Sequence, residues 1–123
     1  MFIKAITLMF AMATLSGSGH FFSSHGVLSL IGKSHDQSTW NLTGVQYNKL
    51  LSVEVTGTDK GGDLDCYILI KRPGQQAYSI LSKQEDAGNQ CSLNVVPHSS
   101  DQLRLWVINN GSKDTHYQMV VKQ

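Results

Sequence analysis

Asp59, Asp63 and Asp65 place three carboxylates within the short segment Thr58-Asp-Lys-Gly-Gly-Asp-Leu-Asp65, and oxygen-rich clusters of this kind are what calcium binds. The spacing is not that of an EF-hand, no bidentate Glu closes the loop and Lys60 intrudes, so turn chemistry at Asp59 and Asp63 competes with the calcium reading. The five histidines raise copper instead. A chain trimmed before His20 or His25 would start with an imidazole beside a free amine, and His98 or His116 would supply a further ligand. Exposed loop histidines are the plainer reading. Gly26-Val-Leu-Ser-Leu-Ile-Gly-Lys-Ser34 approaches a nucleotide-binding loop through Gly32, Lys33 and Ser34. Five residues separate its glycines where that loop has four. Its apolar middle reads better as a strand ending in a Gly-Lys-Ser turn.

Aromatic residues offer a different chemistry. Trp40 and Trp106, with Tyr47, Tyr67, Tyr78 and Tyr117, would form a platform for a sugar if they faced solvent, and we take Trp40 and Trp106 as the candidate ligand contacts. The alternative is that such rings cover the edge of the fold, and Tyr117 is expected in the core. No Gly-x-Ser-x-Gly elbow and no His-Glu-x-x-His motif is present, so nothing in the pattern supports hydrolysis.

The elements that must position these groups repeat with period two. Leu51, Val53 and Val55 alternate with Ser52 and Glu54, and Leu103, Leu105 and Val107 alternate with Arg104 and Trp106. Strands are predicted near 27–31, 38–43, 49–56, 64–71, 76–82, 90–96, 102–109 and 115–122. Turn signals separate them, among them Pro73-Gly74 and Asn110-Gly111, the latter suited to a tight turn with positive φ. About eight short, regularly spaced strands and no helical face predict an all-β, antiparallel, jelly-roll-like sandwich. Parity puts Cys66 on the face of Leu64, Ile68 and Ile70, and Cys91 on that of Leu93 and Val95, so both sulfurs point inward. A disulfide between them is expected, joining either neighbouring strands or the two sheets. The same parity sends Asp63, Asp65 and Tyr67 to the opposite, solvent face.

Residues 1–19 read as a signal peptide. Met1-Phe-Ile-Lys4 is a short cationic start, Ala5 to Leu15 is mostly apolar, and the small residues Ser16 to Gly19 follow, with cleavage between 16 and 24. The apolar run is too short to span a bilayer, so no membrane anchor is expected after cleavage. Residues 20–36 then form an N-terminal segment with the first strand, and 37–123 one small domain. Charged residues make up 15% of the chain and the formal net charge is +1, which gives no basic face for nucleic acid. An exported chain meets an oxidising compartment, consistent with a cysteine bridge.

The order Leu51-Ser-Val-Glu-Val55, Gly62-Asp-Leu-Asp-Cys-Tyr-Ile68, Leu103-Arg-Leu-Trp-Val-Ile-Asn109, His116-Tyr-Gln-Met-Val-Val121 resembles the bacterial pre-peptidase C-terminal domain over about residues 37–123. The resemblance implies a small, calcium-tolerant β-sandwich of the kind appended to secreted proteases. Cys66 stands where that family usually has a plain apolar residue, and no protease domain precedes the module. Size, export signal and the Gly32-Lys33-Ser34 near-motif also resemble a small secreted, G-protein-like phage product, which implies a phage-encoded or prophage exclusion or host-interaction factor. The expectation is a periplasmic or secreted, noncatalytic binding module acting on an envelope or cell-surface protein or glycan. The alternative is an accessory domain of an exported enzyme, or a small calcium or copper protein.

Overall fold

Alternation along the chain becomes two stacked sheets. The computed structural model describes residues 17–23 (backbone path only), 26–59, 61–85 and 88–123; the expected signal segment up to residue 16, and His25, lie outside them. Nine strands run through the described residues: β1 (Gly17–Ser23), β2 (Gly26–Gly32), β3 (Gln37–Thr43), β4 (Leu51–Gly57), β5 (Leu64–Lys71), β6 (Ser79–Gln84), β7 (Gln90–Val95), β8 (Gln102–Asn109) and β9 (Thr115–Lys122). One sheet has the order β1-β3-β8-β5-β6 and the other β2-β9-β4-β7. The eight strands β2 to β9 pair antiparallel. Only β5 and β6 are both successive and adjacent, so the chain otherwise crosses between sheets at each connection from β2 onward, the winding of a jelly roll.

Each buried row is the inward half of an alternating strand. Leu51, Val53 and Val55 meet Leu103, Leu105, Val107, Met119 and Val121 between the layers, while Glu54 and Gln118 face out. Trp40 is the largest fully buried side chain, at 0% exposure. It fills the core and offers no surface for a ligand, which corrects the expectation for that residue: β3 parity sends Trp40 and Leu42 inward and Asn41 outward.

Three further departures from the sequence reading have local causes. β1 is an added strand that pairs with β3 in parallel, in a segment read from sequence as leader and cleavage zone. β4 begins at Leu51 rather than at residue 49, after a turn in which Asn48 has φ 61° and the Lys49 carbonyl accepts from the Gln123 side chain at 3.0 Å. Asn110-Gly111 is not a positive-φ hairpin turn, since β8 and β9 lie in different sheets and their link must cross the sandwich. Gly111 is needed there for space: a Cβ would stand 2.3 Å from the Gly61 carbonyl oxygen.

Cys66 on β5 and Cys91 on β7 form a disulfide with Cα atoms 6.1 Å apart. It joins the two sheets, the alternative parity left open. Facing sheets usually stand about 10 Å apart, so the layers draw together at this point, and both cysteines are fully buried. Replacing both by Ala should lower the unfolding free energy by ~3 kcal/mol through the enlarged unfolded ensemble, read as a lower urea midpoint with the strand-rich circular dichroism retained.

Candidate functional site

The outer face of the five-stranded sheet carries the best-ordered surface chemistry. Register places Tyr67 opposite Trp106 and Leu69 opposite Arg104, and Trp106 and Arg104 opposite Thr39 and Asn41. Cross-strand neighbours on one face are close enough to interact directly. The Trp106 ring tilts over Tyr67 with centroids 4.6 Å apart, and its Nε1 donates to Gln37 Oε1 at 2.6 Å. Arg104 Nε donates to Asn41 Oδ1 at 2.8 Å, and its guanidinium lies 4.1 Å from the centre of the Tyr78 ring. Lys71 approaches the same ring at 5.9 Å. Each long side chain in this row is therefore held by a second one.

Asp65 and Tyr67 lie on this face but are not open to solvent as parity implied: they are 8% and 6% exposed. Trp106 covers the Tyr67 ring, the Tyr67 hydroxyl donates to Glu85, and the Asn110 amide donates to Asp65 Oδ2. Asp65 Oδ1 is buried without a partner among the described residues. Burial raises the Asp65 pKa above its ordinary value, opposed by the Asn110 hydrogen bond and reinforced by the charges of Asp63 and Glu85. Burial, then the hydrogen bond and charge of Glu85, push the Tyr67 phenol up to about 12. Glu85 is held low by the hydrogen bonds from Tyr67 and Lys83.

At the neighbouring end of the sandwich one buried amide organises three loops. Asn109 Nδ2 donates to the carbonyls of Gly32 and Lys113, both at 2.9 Å, while Oδ1 accepts from Gly111 N at 2.9 Å and Asp63 N at 3.3 Å. The Gly32-Lys33-Ser34 turn belongs to this assembly. Ser34 N donates to Asp114 Oδ1 at 2.9 Å and Ser34 Oγ to the Gly111 carbonyl at 2.6 Å, and a Cβ on Gly32 would strike the Tyr117 ring at 2.8 Å. Its polar groups are thus taken up within the fold, and the turn leads into strand β3 where a nucleotide loop leads into a helix.

The three aspartates of the calcium reading are engaged separately. Asp59 Oδ2 accepts from His116 N and pairs with His116 Nδ1 at 2.8 Å, contacts that hold its pKa below the ordinary value; Asp63 Oδ1 accepts from Gly88 N at 3.4 Å; Asp65 meets Asn110. Among the described residues no three His, Cys, Asp or Glu side chains come together to hold a metal ion. His98 Nδ1 lies 3.3 Å from Asn48 Oδ1 in the loop before β8. Of His20 only the backbone position in β1 is described.

The opposite end of the same sheet holds a cleft of about 620 Å³ whose walls include Asn41, Tyr47, Lys71, Tyr78, Asp101 and Arg104. Sequence reasoning missed Asn41 and Arg104. β8 parity puts Arg104 on the face of Trp106, but its pairing with Asn41 depends on a register between strands more than 60 residues apart that no local pattern encodes.

Known proteins share this architecture. No family model and no curated protein sequence matches the chain. The pre-peptidase C-terminal domain of collagenase from Bacillus anthracis superposes with a TM-score of 0.59 at 15% identity, over 89% of this chain and 100% of that one. The fold is pre-peptidase C-terminal-like. The Yersinia pseudotuberculosis-derived mitogen matches with a TM-score of 0.64 at 12% identity, covering 78% and 82% of the two chains. PliG of Aeromonas hydrophila, a periplasmic inhibitor of g-type lysozyme, matches at 0.50 and 13% identity, also over 78% and 82%.

Two outcomes follow. Asp65 has a folded-state pKa above its unfolded value of 3.8, so its contribution to stability is complete below 3.8 and is lost as pH rises through the folded-state value. Asp65→Asn should therefore melt higher than the parent at neutral pH, and the difference should vanish in acid below 3.8. Asn109→Ala strands four backbone groups and should cost about 3 kcal/mol in chemical denaturation.

Proposed function

We propose that the chain acts, after export, as a noncatalytic binding module at the cell envelope or cell surface, with the outer face of the five-stranded sheet as its contact surface. The observation that carries this reading is the row Trp106, Arg104 and Tyr78, half-exposed and each braced by a neighbour. Trp, Tyr and Arg are the residue types that dominate binding energy at interfaces, and side chains already locked by Gln37, Asn41 and one another lose little freedom when a partner docks. The inter-sheet disulfide supports an oxidising compartment. Two structural neighbours, a periplasmic lysozyme inhibitor and a mitogen, are consistent with such a role, and the inhibitor supports a protein as the partner.

A second reading, an accessory domain working beside an exported enzyme, is favoured by the match along the full length of that collagenase's pre-peptidase C-terminal domain. Affinity capture from solubilised envelope separates the two. A module of the first kind enriches one envelope component, and Trp106→Ala reduces that enrichment by about tenfold or more, the loss expected of an interface anchor. Enrichment of a secreted hydrolase would favour the accessory role, and capture unaffected by Trp106→Ala would remove the outer face from the proposal.

A further inference from the structure

The strands deliver charge unequally to the two ends of the sandwich. Asp36, Asp59, Asp63, Asp65, Glu85 and Asp114 lie at or near the end organised by Asn109, where β2, β4, β6 and β8 finish and β3, β5, β7 and β9 begin, and they outnumber Lys33, Lys83 and Lys113 there. At the opposite end stand Lys49, Lys71, Arg72, Arg104 and Lys122, and Asp101 is the one carboxylate there among the described residues. Asp101 is already occupied: its Oδ2 accepts from His98 N at 3.0 Å and its Oδ1 lies 4.0 Å from Arg72 Nε. A chain with a net charge of only +1 is thus electrostatically polarised, and the cleft opens at its positive end.

The cleft walls add recognition to the charge. Arg104 is fixed by Asn41 through Nε and by the Tyr78 ring against its guanidinium, and neither of these contacts uses the Nη pair, a fork of donors. That is the geometry that grips a carboxylate through paired hydrogen bonds. Asn41 accepts through Oδ1, a bond that does not use its NH2, a neighbouring donor. Lys71 supplies a second cation, and Tyr47, 44% exposed, supplies an apolar wall. The volume of about 620 Å³ falls within the roughly 300–1,000 Å³ of small-ligand sites. We infer that this cleft binds a carboxylate-bearing saccharide, with Arg104 on the carboxylate, Asn41 and Lys71 on adjacent oxygens, and a tyrosine face against the sugar ring. The inference rests on the binding-module reading and gives it a ligand class.

Titration of the disulfide-intact protein tests it directly, following amide shifts by NMR with galacturonic acid, galactose, sodium sulfate and a triglutamate peptide as probes. Galacturonic acid should bind saturably in the millimolar range, with shifts centred on Asn41, Tyr78 and Arg104, and galactose should bind at least about tenfold more weakly. Arg104→Gln should abolish the difference between the two sugars. Lys71→Gln should weaken the acid sugar alone, and it serves as the reporter if Arg104→Gln does not fold. Glu54→Gln, on the outer face of the other sheet, should change neither. Absence of saturation by galacturonic acid, equal binding of galactose, equal binding of sulfate, or tighter binding of triglutamate would each overturn the inference. Envelope capture that succeeds while the sugar titration fails overturns the cleft and leaves the module standing.

Discussion

Successive side chains on a pleated strand leave in opposite directions, and this constraint governs the whole molecule. One half of each central strand is spent on the interior: Leu64, Cys66, Ile68 and Ile70 from β5 and Leu103, Leu105 and Val107 from β8 close against the other sheet. The remaining half is then free to carry Asp65, Tyr67, Arg104 and Trp106 as a single outer surface. Core and contact face are therefore written into the same residues of sequence, interleaved, and a shift of register by one residue would exchange them.

The two ends of the sandwich solve opposite problems. Where the β2–β3, β4–β5 and β8–β9 connections converge, carbonyl and amide groups are drawn out of solvent, and the Asn109 side chain satisfies four of them at once. The acidic residues sit around that end, several of them accepting hydrogen bonds from backbone N–H groups. At the other end the Gln123 amide ties down only the β3–β4 loop, through Gln46 and Lys49. Cations gather there, and a cleft opens beside the β3–β4 loop.

Much of this was readable in advance because local pattern carries it. Period two located β2 to β9 to within a few residues, and parity alone pointed both cysteines inward. What pattern could not carry was pairing. Nothing in the neighbourhood of Asn41 announces Arg104, and nothing near Asp65 announces that Trp106, Glu85 and Asn110 would close over it and its neighbour Tyr67. Trp40 was misjudged for a related reason: its ring suits a sugar or a core equally well, and only the choice of which face of β3 turns inward decides. β1 was hidden because its composition, small residues followed by two phenylalanines, fits a leader and its cleavage site as well as it fits a strand.

Under the proposed export, that border strand would tie the outline of the sheet to the trimming of the chain. Residues 17–23 shelter the flank of β3 by parallel pairing, and they overlap the zone in which an export peptidase is expected to cut. Removal of part of this stretch would strip rungs from β3 and bare a margin of unpaired amides and carbonyls, a natural landing strip for an extended segment of another polypeptide. On the export reading proposed above, where a peptidase cuts would set how much of the β3 margin is left unpaired.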